Sequence, residues 1–159
     1  KKIKKEGDWY YEQQMLGYNY RMSDIAAALG ISQLKKLQNF IKKRNQIALN
    51  YRNFLKNLPI EFQHVNKKSL SSYHLFIIRV SSKIRKKLFD KMRKNGFFVN
   101  IHYIPIHLQP YYRKLGFKKG MFPVAEKYYK EALSIPIYPN LIKKNQLKII
   151  SIIKNILKK

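Results

Sequence analysis

The sequence has no cysteine and only eight acidic residues among 159. The first absence rules out a disulfide framework and any thiolate-held metal. The four histidines, His64, His74, His102 and His107, do not fall at zinc-ligand spacing with acidic neighbours, so no metal is expected. No run approaches the roughly 18 to 20 apolar residues of a membrane-spanning helix, and no charged, apolar, small-residue signal opens the chain. A cytoplasmic location is therefore the default expectation. Internal repeats and low-complexity linkers are lacking as well, and a length of 159 residues with 45% hydrophobic content is enough for one ordinary core.

Against eight acids stand 34 basic residues, a formal charge of +26. Phosphate neutralisation dominates nucleic-acid binding, so such an excess raises a nucleic-acid reading and, beside it, that of a helical interaction module. Its distribution argues otherwise. Only seven of the 34 are arginine, and residues 1–80 hold 15 basic and 5 acidic side chains against 19 and 3 in residues 81–159. Lysine spread over polar helix faces does not read bases. No nucleic-acid partner is expected, and the excess is ascribed to a proteome-wide lysine bias acting on solvated positions.

Helical periodicity dominates after a lysine-rich start, Lys1 to Lys5, which is expected to be frayed or displaced. Ser23 to about Leu37 reads as a helix. The i, i+3, i+4, i+7 spacing of Phe40, Ile41, Ile47, Ala48, Tyr51, Phe54, Leu55 and Leu58 continues it, bent or broken near Gln38, to a stop at Pro59. Tyr73 to Val80 reads as a buried strand, Ser82 to Asn95 as a helix ended by Gly96, and Phe97 to Tyr103 as the next strand. Pro105 and Pro110 make a loop with at most a short helix; Pro123 starts a helix through about Ala132, and Ile135 and Ile137 form a short extended segment. The last stretch, from Ile142, is an amphipathic helix. Such a basic helix can lie on an anionic membrane, but closing the core of an α+β domain is its commoner role, and no membrane partner is expected. A small sheet covered by helices follows.

One segment is rich in donor chemistry: Gly17-Tyr18-Asn19-Tyr20-Arg21-Met22-Ser23-Asp24-Ile25-Ala26-Ala27-Ala28-Leu29-Gly30. Ser23 is a good N-cap, Asp24 suits the positive end of the helix dipole, and Asn19 and Arg21 stand just before it as donors. On its own this is equally an ordinary loop and helix start. Continued through Leu37, however, it resembles the motif of the DegT/DnrJ/EryC1/StrS sugar aminotransferases. Ser72-Tyr73-His74-Leu75-Phe76, Gly96 to Val99, Asn100-Ile101-His102-Tyr103-Ile104-Pro105-Ile106-His107-Leu108-Gln109-Pro110-Tyr111-Tyr112, Phe122-Pro123-Val124-Ala125-Glu126 and Leu133-Ser134-Ile135-Pro136-Ile137-Tyr138-Pro139 recur in the family's order. The His102 to Tyr112 run and Glu6-Gly7-Asp8-Trp9-Tyr10-Tyr11 resemble the branch on the way to pseudaminic acid.

The resemblance implies an α+β fold: the C-terminal small domain, residues 59–159, of a fold-type I pyridoxal-phosphate enzyme, preceded over 1–58 by the end of the cofactor domain and its connecting helices. It implies pyridoxal 5'-phosphate as cofactor, glutamate and a UDP-linked 4-keto-6-deoxy sugar as substrates, and a homodimer with shared active sites. The Asn of the Gly-x-Asn-x-Arg-Met motif, here Asn19, would donate to the cofactor phosphate of the partner subunit. Arg21 would add charge there or pair with Asp24 or an upstream carboxylate. His102 and His107 would be donors in the nucleotide-sugar site, with Tyr103 and Tyr111 as secondary candidates; in a strand His102 and Tyr103 would point to opposite faces unless the backbone turns. Neutral imidazole suits a sugar hydroxyl and the protonated ring a diphosphate. None of the 27 lysines lies in the Ser/His/Gly-rich setting of the family's cofactor lysine. The expectation is therefore that this lysine lies upstream, that no catalytic residue is present here, and that the chain alone is inactive.

Overall fold

A computed structural model describes residues 13–18, 20–66 and 68–158. Asn19, the Lys1 to Lys5 start and the Glu6 to Tyr11 motif lie outside the described residues. The chain falls into two compact units divided between Lys35 and Lys36.

The first unit contains α1 (Asp24–Leu34). Ser23 caps it as its residue type demands: backbone extended at φ −69°, ψ 154°, with the side-chain oxygen accepting the Ala26 N–H at 3.3 Å. None of its residues is buried within the described chain. Just before it, the rings of Tyr18 and Tyr20 stack with centroids 5.1 Å apart.

The first helix of the second unit is α2 (Leu37–Leu55), so the break expected near Gln38 falls at Lys35 and Lys36. Then come β1 (Glu61–Phe62), β2 (Phe76–Arg79), α3 (Ser82–Lys94), a 3-10 turn (Ile106–Leu108), α4 (Pro110–Lys114), α5 (Pro123–Glu131), β3 (Ala132–Ile135) and α6 (Lys143–Leu157). The strands form one antiparallel sheet in the order β1-β2-β3, with Phe76 opposite Ile135 and Arg79 opposite Ala132. The fold is α+β. In β2, Phe76 and Ile78 are buried and Ile77 and Arg79 half-buried, the period-two alternation of a strand. Helices α2, α3 and α6 close the core through Ile47, Tyr51, Leu55, Leu88, Met92, Ile149 and Ile153. The terminal helix thus closes the core, and a polar seam ties it to α2, where Gln146 donates to the Ile47 carbonyl at 2.8 Å and accepts from Asn50 at 3.2 Å.

Of two expected strands one is shortened and the other absent, each for a local reason. Tyr73 sits at φ +44°, a left-handed conformation that a strand cannot contain, so β2 starts only at Phe76. The stretch Phe97 to Tyr103 is not a strand. It makes a single bridge, Asn100 to Ser134, and then the Asn100 side-chain oxygen takes the Ile101 N–H at 2.8 Å, removing that donor from any ladder. Gly96 ends α3 at φ +78°, as its position after the helix requires.

Candidate functional site

The bridge between Asn100 and Ser134 organises the first part of the site. Ser134 donates its N–H to the Asn100 carbonyl at 2.8 Å and accepts the Asn100 N–H at 3.3 Å. This pairing brings the His102 ring onto β3, its Nδ1 2.7 Å from Ser134 Oγ and its Nε2 3.4 Å from the Asn100 side-chain nitrogen. His102 borders an open pocket of about 330 Å³, together with His74, Phe97, Phe98, Ser134 and Tyr138.

The pocket's walls are tied to α2 by a residue the sequence did not single out. Arg44 Nη1 donates to the carbonyls of Tyr73 and Ile137, at 2.9 Å each, and lies 3.3 Å from that of His74. From two turns of helix further on, the Tyr51 hydroxyl donates to the Pro136 carbonyl at 2.9 Å. Burial, with Tyr138 nearby, pushes the Tyr51 phenol well above its usual range.

A second cluster holds the loop after His102. His107, in the 3-10 turn, is only 7% exposed, and Glu126, in the first turn of α5, only 6%. His107 Nε2 lies 3.0 Å from Glu126 Oε1, and the same oxygen accepts the Gly120 N–H. The His107 hydrogen bond, then the Gly120 N–H, hold the Glu126 carboxyl below the usual carboxylate range. Gly120 reaches it at φ +96°, where a side chain would be strained. The His107 ring packs 4.8 Å from Phe122 and borders an apolar pocket of about 340 Å³ with Pro105, Tyr112 and Phe117.

The four expected sugar-site residues do not converge on one pocket. His102 opens on the first and His107 on the second. Tyr103, 71% exposed, borders a third of about 650 Å³ with Met121, Phe122 and Tyr128. Tyr111, 68% exposed, packs edge to face on Tyr112 at 5.3 Å. The expectation that His102 and Tyr103 face apart is corrected: outside any strand, their rings meet edge to face at 4.7 Å. Arg21 is exposed in the segment before α1. Among the described residues no group of three or more His, Asp or Glu side chains gathers as a metal site, and no helix is long and apolar enough to cross a membrane.

Arg44, Asn100, Ser134 and Glu126 were given no site role by the sequence, although Asn100, Ser134 and Glu126 lie inside the recurring motifs. Arg44 ends a Lys-Lys-Arg run that reads as solvated surface. Only Glu126 carried a local signal, an acidic residue in the first turn of a Pro-started helix.

Similarity to known proteins gathers these pieces. The UDP-4-amino-4,6-dideoxy-N-acetyl-beta-L-altrosamine transaminase of Campylobacter jejuni is 36% identical over 143 residues, 87% of this chain and 38% of that protein. Helicobacter pylori PseC, an aminotransferase of pseudaminic acid biosynthesis, superposes with a TM-score of 0.81 at 30% identity, over 97% of this chain and 42% of its own. The PLP form of a Streptococcus pneumoniae putative sugar aminotransferase superposes at 0.83 with 27% identity, over 94% and 39%. The chain spans about two fifths of the length of the curated relatives it matches. Because the model of one family, DegT/DnrJ/EryC1/StrS, matches residues 2–154, nearly from end to end, the chain belongs to that aminotransferase family.

Proposed function

We propose that the chain is the C-terminal part of a pyridoxal-phosphate-dependent nucleotide-sugar aminotransferase. The intact enzyme carries an amino group from glutamate to C4 of a UDP-4-keto-6-deoxy-N-acetyl-hexosamine, the reaction class of pseudaminic acid biosynthesis. It works in the cytoplasm as a homodimer with shared active sites. The observation that carries this reading is the ordered match over residues 2–154, with identity above a third to a transaminase of that kind.

The donor chemistry before α1 fits a cofactor phosphate. Arg21 supplies a guanidinium, Asn19 an amide, and the capped start of α1 a positive dipole end, all suited to an anion; Asp24, in the first turn of α1, is of opposite sign. Asn19 and Arg21 are assigned to the phosphate bound with the partner subunit. When bound, pyridoxal phosphate supplies the electron sink and the amine carrier. The remaining work assigned to this chain is recognition. His102 hydrogen-bonds the sugar from its anchored position, His107 lends its ring to a second pocket, and Tyr103 and Tyr111 are the weaker candidates for substrate contact. Residues 59–159 form the small domain, 1–58 the end of the cofactor domain with its connecting helices, and this part alone does not catalyse.

The test is to substitute His102→Ala in the full-length enzyme and follow the two half-reactions separately. The half-reaction with the UDP-keto sugar should slow, while the change in cofactor absorbance on adding glutamate should proceed as in wild type. Equal loss of both, or of neither, overturns the assignment. Asn19→Ala should weaken retention of pyridoxal phosphate by about 10- to 100-fold, one hydrogen bond to a charged group; unchanged affinity would make Asn19 a plain loop residue.

A further inference from the structure

The two histidine chemistries left open by the sequence, neutral partner of a hydroxyl or cation for a diphosphate, are separated by the hydrogen bonds around His102. The Ile101 N–H lies 2.8 Å from Asn100 Oδ1, and a donor there requires oxygen, which fixes which way the Asn100 amide faces. The other end, directed at His102 Nε2 from 3.4 Å, is therefore the NH2 group. Two donors cannot face one another, so Nε2 carries no proton. The ring proton is then on Nδ1, 2.7 Å from Ser134 Oγ, which accepts it. Ser134 is itself 6% exposed and pinned by both backbone bonds to Asn100.

We infer that Asn100 and Ser134 are positioning residues that hold His102 as the neutral Nδ1–H form, so that it meets the substrate as an Nε2 acceptor for a hydroxyl or amide N–H of the sugar. The inference rests on the sugar-site reading above. The Asn100 contact is long for a hydrogen bond and yields to a better donor. Phe97 and Phe98 line the same pocket, and two cations lie over those rings, Arg93 over Phe98 at 5.0 Å and Lys148 over Phe97 at 5.8 Å. An uncharged acceptor suits a donor group of the sugar and not the diphosphate.

Three variants of the full-length enzyme test it, each checked for unaltered thermal stability and for a normal glutamate half-reaction. Asn at 102 overlays Nδ1 and Gln overlays Nε2. His102→Gln should leave KM for the UDP-keto sugar within about threefold, and His102→Asn should raise it about tenfold, the loss of one neutral hydrogen bond. Asn100→Asp turns the group facing Nε2 into an acceptor and forces a proton onto that nitrogen. KM for the UDP-keto sugar should rise about tenfold while the Ki of UDP alone stays unchanged. If Gln and Asn at 102 are equally damaging, or Asn is the milder, the acceptor assignment is wrong although His102 still serves the sugar site. If neither changes KM, His102 is outside the site and the functional reading of this pocket falls with the inference. A Ki for UDP that changes along with KM in Asn100→Asp places the diphosphate at this pocket and overturns the inference.

Discussion

Arg44→Ala should be the most damaging single change on the half-buried surface of the second unit. One guanidinium nitrogen satisfies the carbonyls of Tyr73 and Ile137 at 2.9 Å, with that of His74 at 3.3 Å. One nitrogen has two hydrogens, so two good bonds are counted. Hydrogen bonds to a charged group are each worth about 1.5–3 kcal/mol, and water recovers part of that at a half-buried site, which leaves about 2–4 kcal/mol. For a chain of this size that loss lowers Tm by roughly 5–15 °C. In urea the midpoint should fall with the slope unchanged, since no additional surface is exposed on unfolding. Arg44→Lys should recover part of the loss, because all three contacts come from one nitrogen and an ammonium also carries several donors on a single nitrogen. Lys43→Ala, one residue away and exposed, serves as control and should stay within about 0.5 kcal/mol. If Arg44→Ala behaves like that control, the three carbonyls are held by the sheet and the core without the guanidinium, and Arg44 does not position the pocket walls.

Other outcomes follow from individual contacts. Tyr51→Phe leaves the Pro136 carbonyl without its donor and should cost about 1–2 kcal/mol by thermal unfolding. Because burial raises the Tyr51 phenol, its contribution is whole below the unfolded value of 10.0 and is lost as pH rises above it; the Phe variant should show a shallower alkaline decline. Glu126 has the opposite sign. Its depressed carboxyl stabilises the fold above its ordinary value of 4.5, and that contribution disappears as pH falls through the lower folded value, so Glu126→Gln should flatten the acid limb of a stability-pH curve. An unchanged limb would mean the His107 and Gly120 bonds do not depend on the charge. Ile153→Ala, fully buried on α6, should destabilise by about 2–5 kcal/mol, whereas a helix that only lay along a membrane would tolerate it in solution.

What could be read in the sequence is what depends on near neighbours. The N-cap at Ser23, the Pro123 helix start, the Gly96 stop and the apolar face of the last helix each rest on residues within a turn or two, and all stand in the structure. The errors arise where a distant partner or a side chain decides. Phe97 to Tyr103 has strand composition, yet the Asn100 side chain captures the next backbone donor and leaves a one-residue bridge. The sequence's alternation rule then assigns His102 and Tyr103 to opposite faces, and it fails because the pleat it presumes is absent.

The site follows the same division. The family resemblance, and not residue type alone, marks His102 and His107 as site residues, but it does not say which ring nitrogen is free or which pocket it meets. Those answers come from Ser134, 32 residues on, and Glu126, 19 residues on, through contacts that exist only once β3 and α5 are in place. The two histidines thereby acquire different chemistry. His107 gives Nε2–H to a buried carboxylate and is committed to holding its loop, whereas His102 gives its proton to a hydroxyl and keeps an acceptor at the pocket's edge. Of two residues equivalent in the sequence, the one whose hydrogen bonds leave an atom facing the pocket is the better placed to read the substrate.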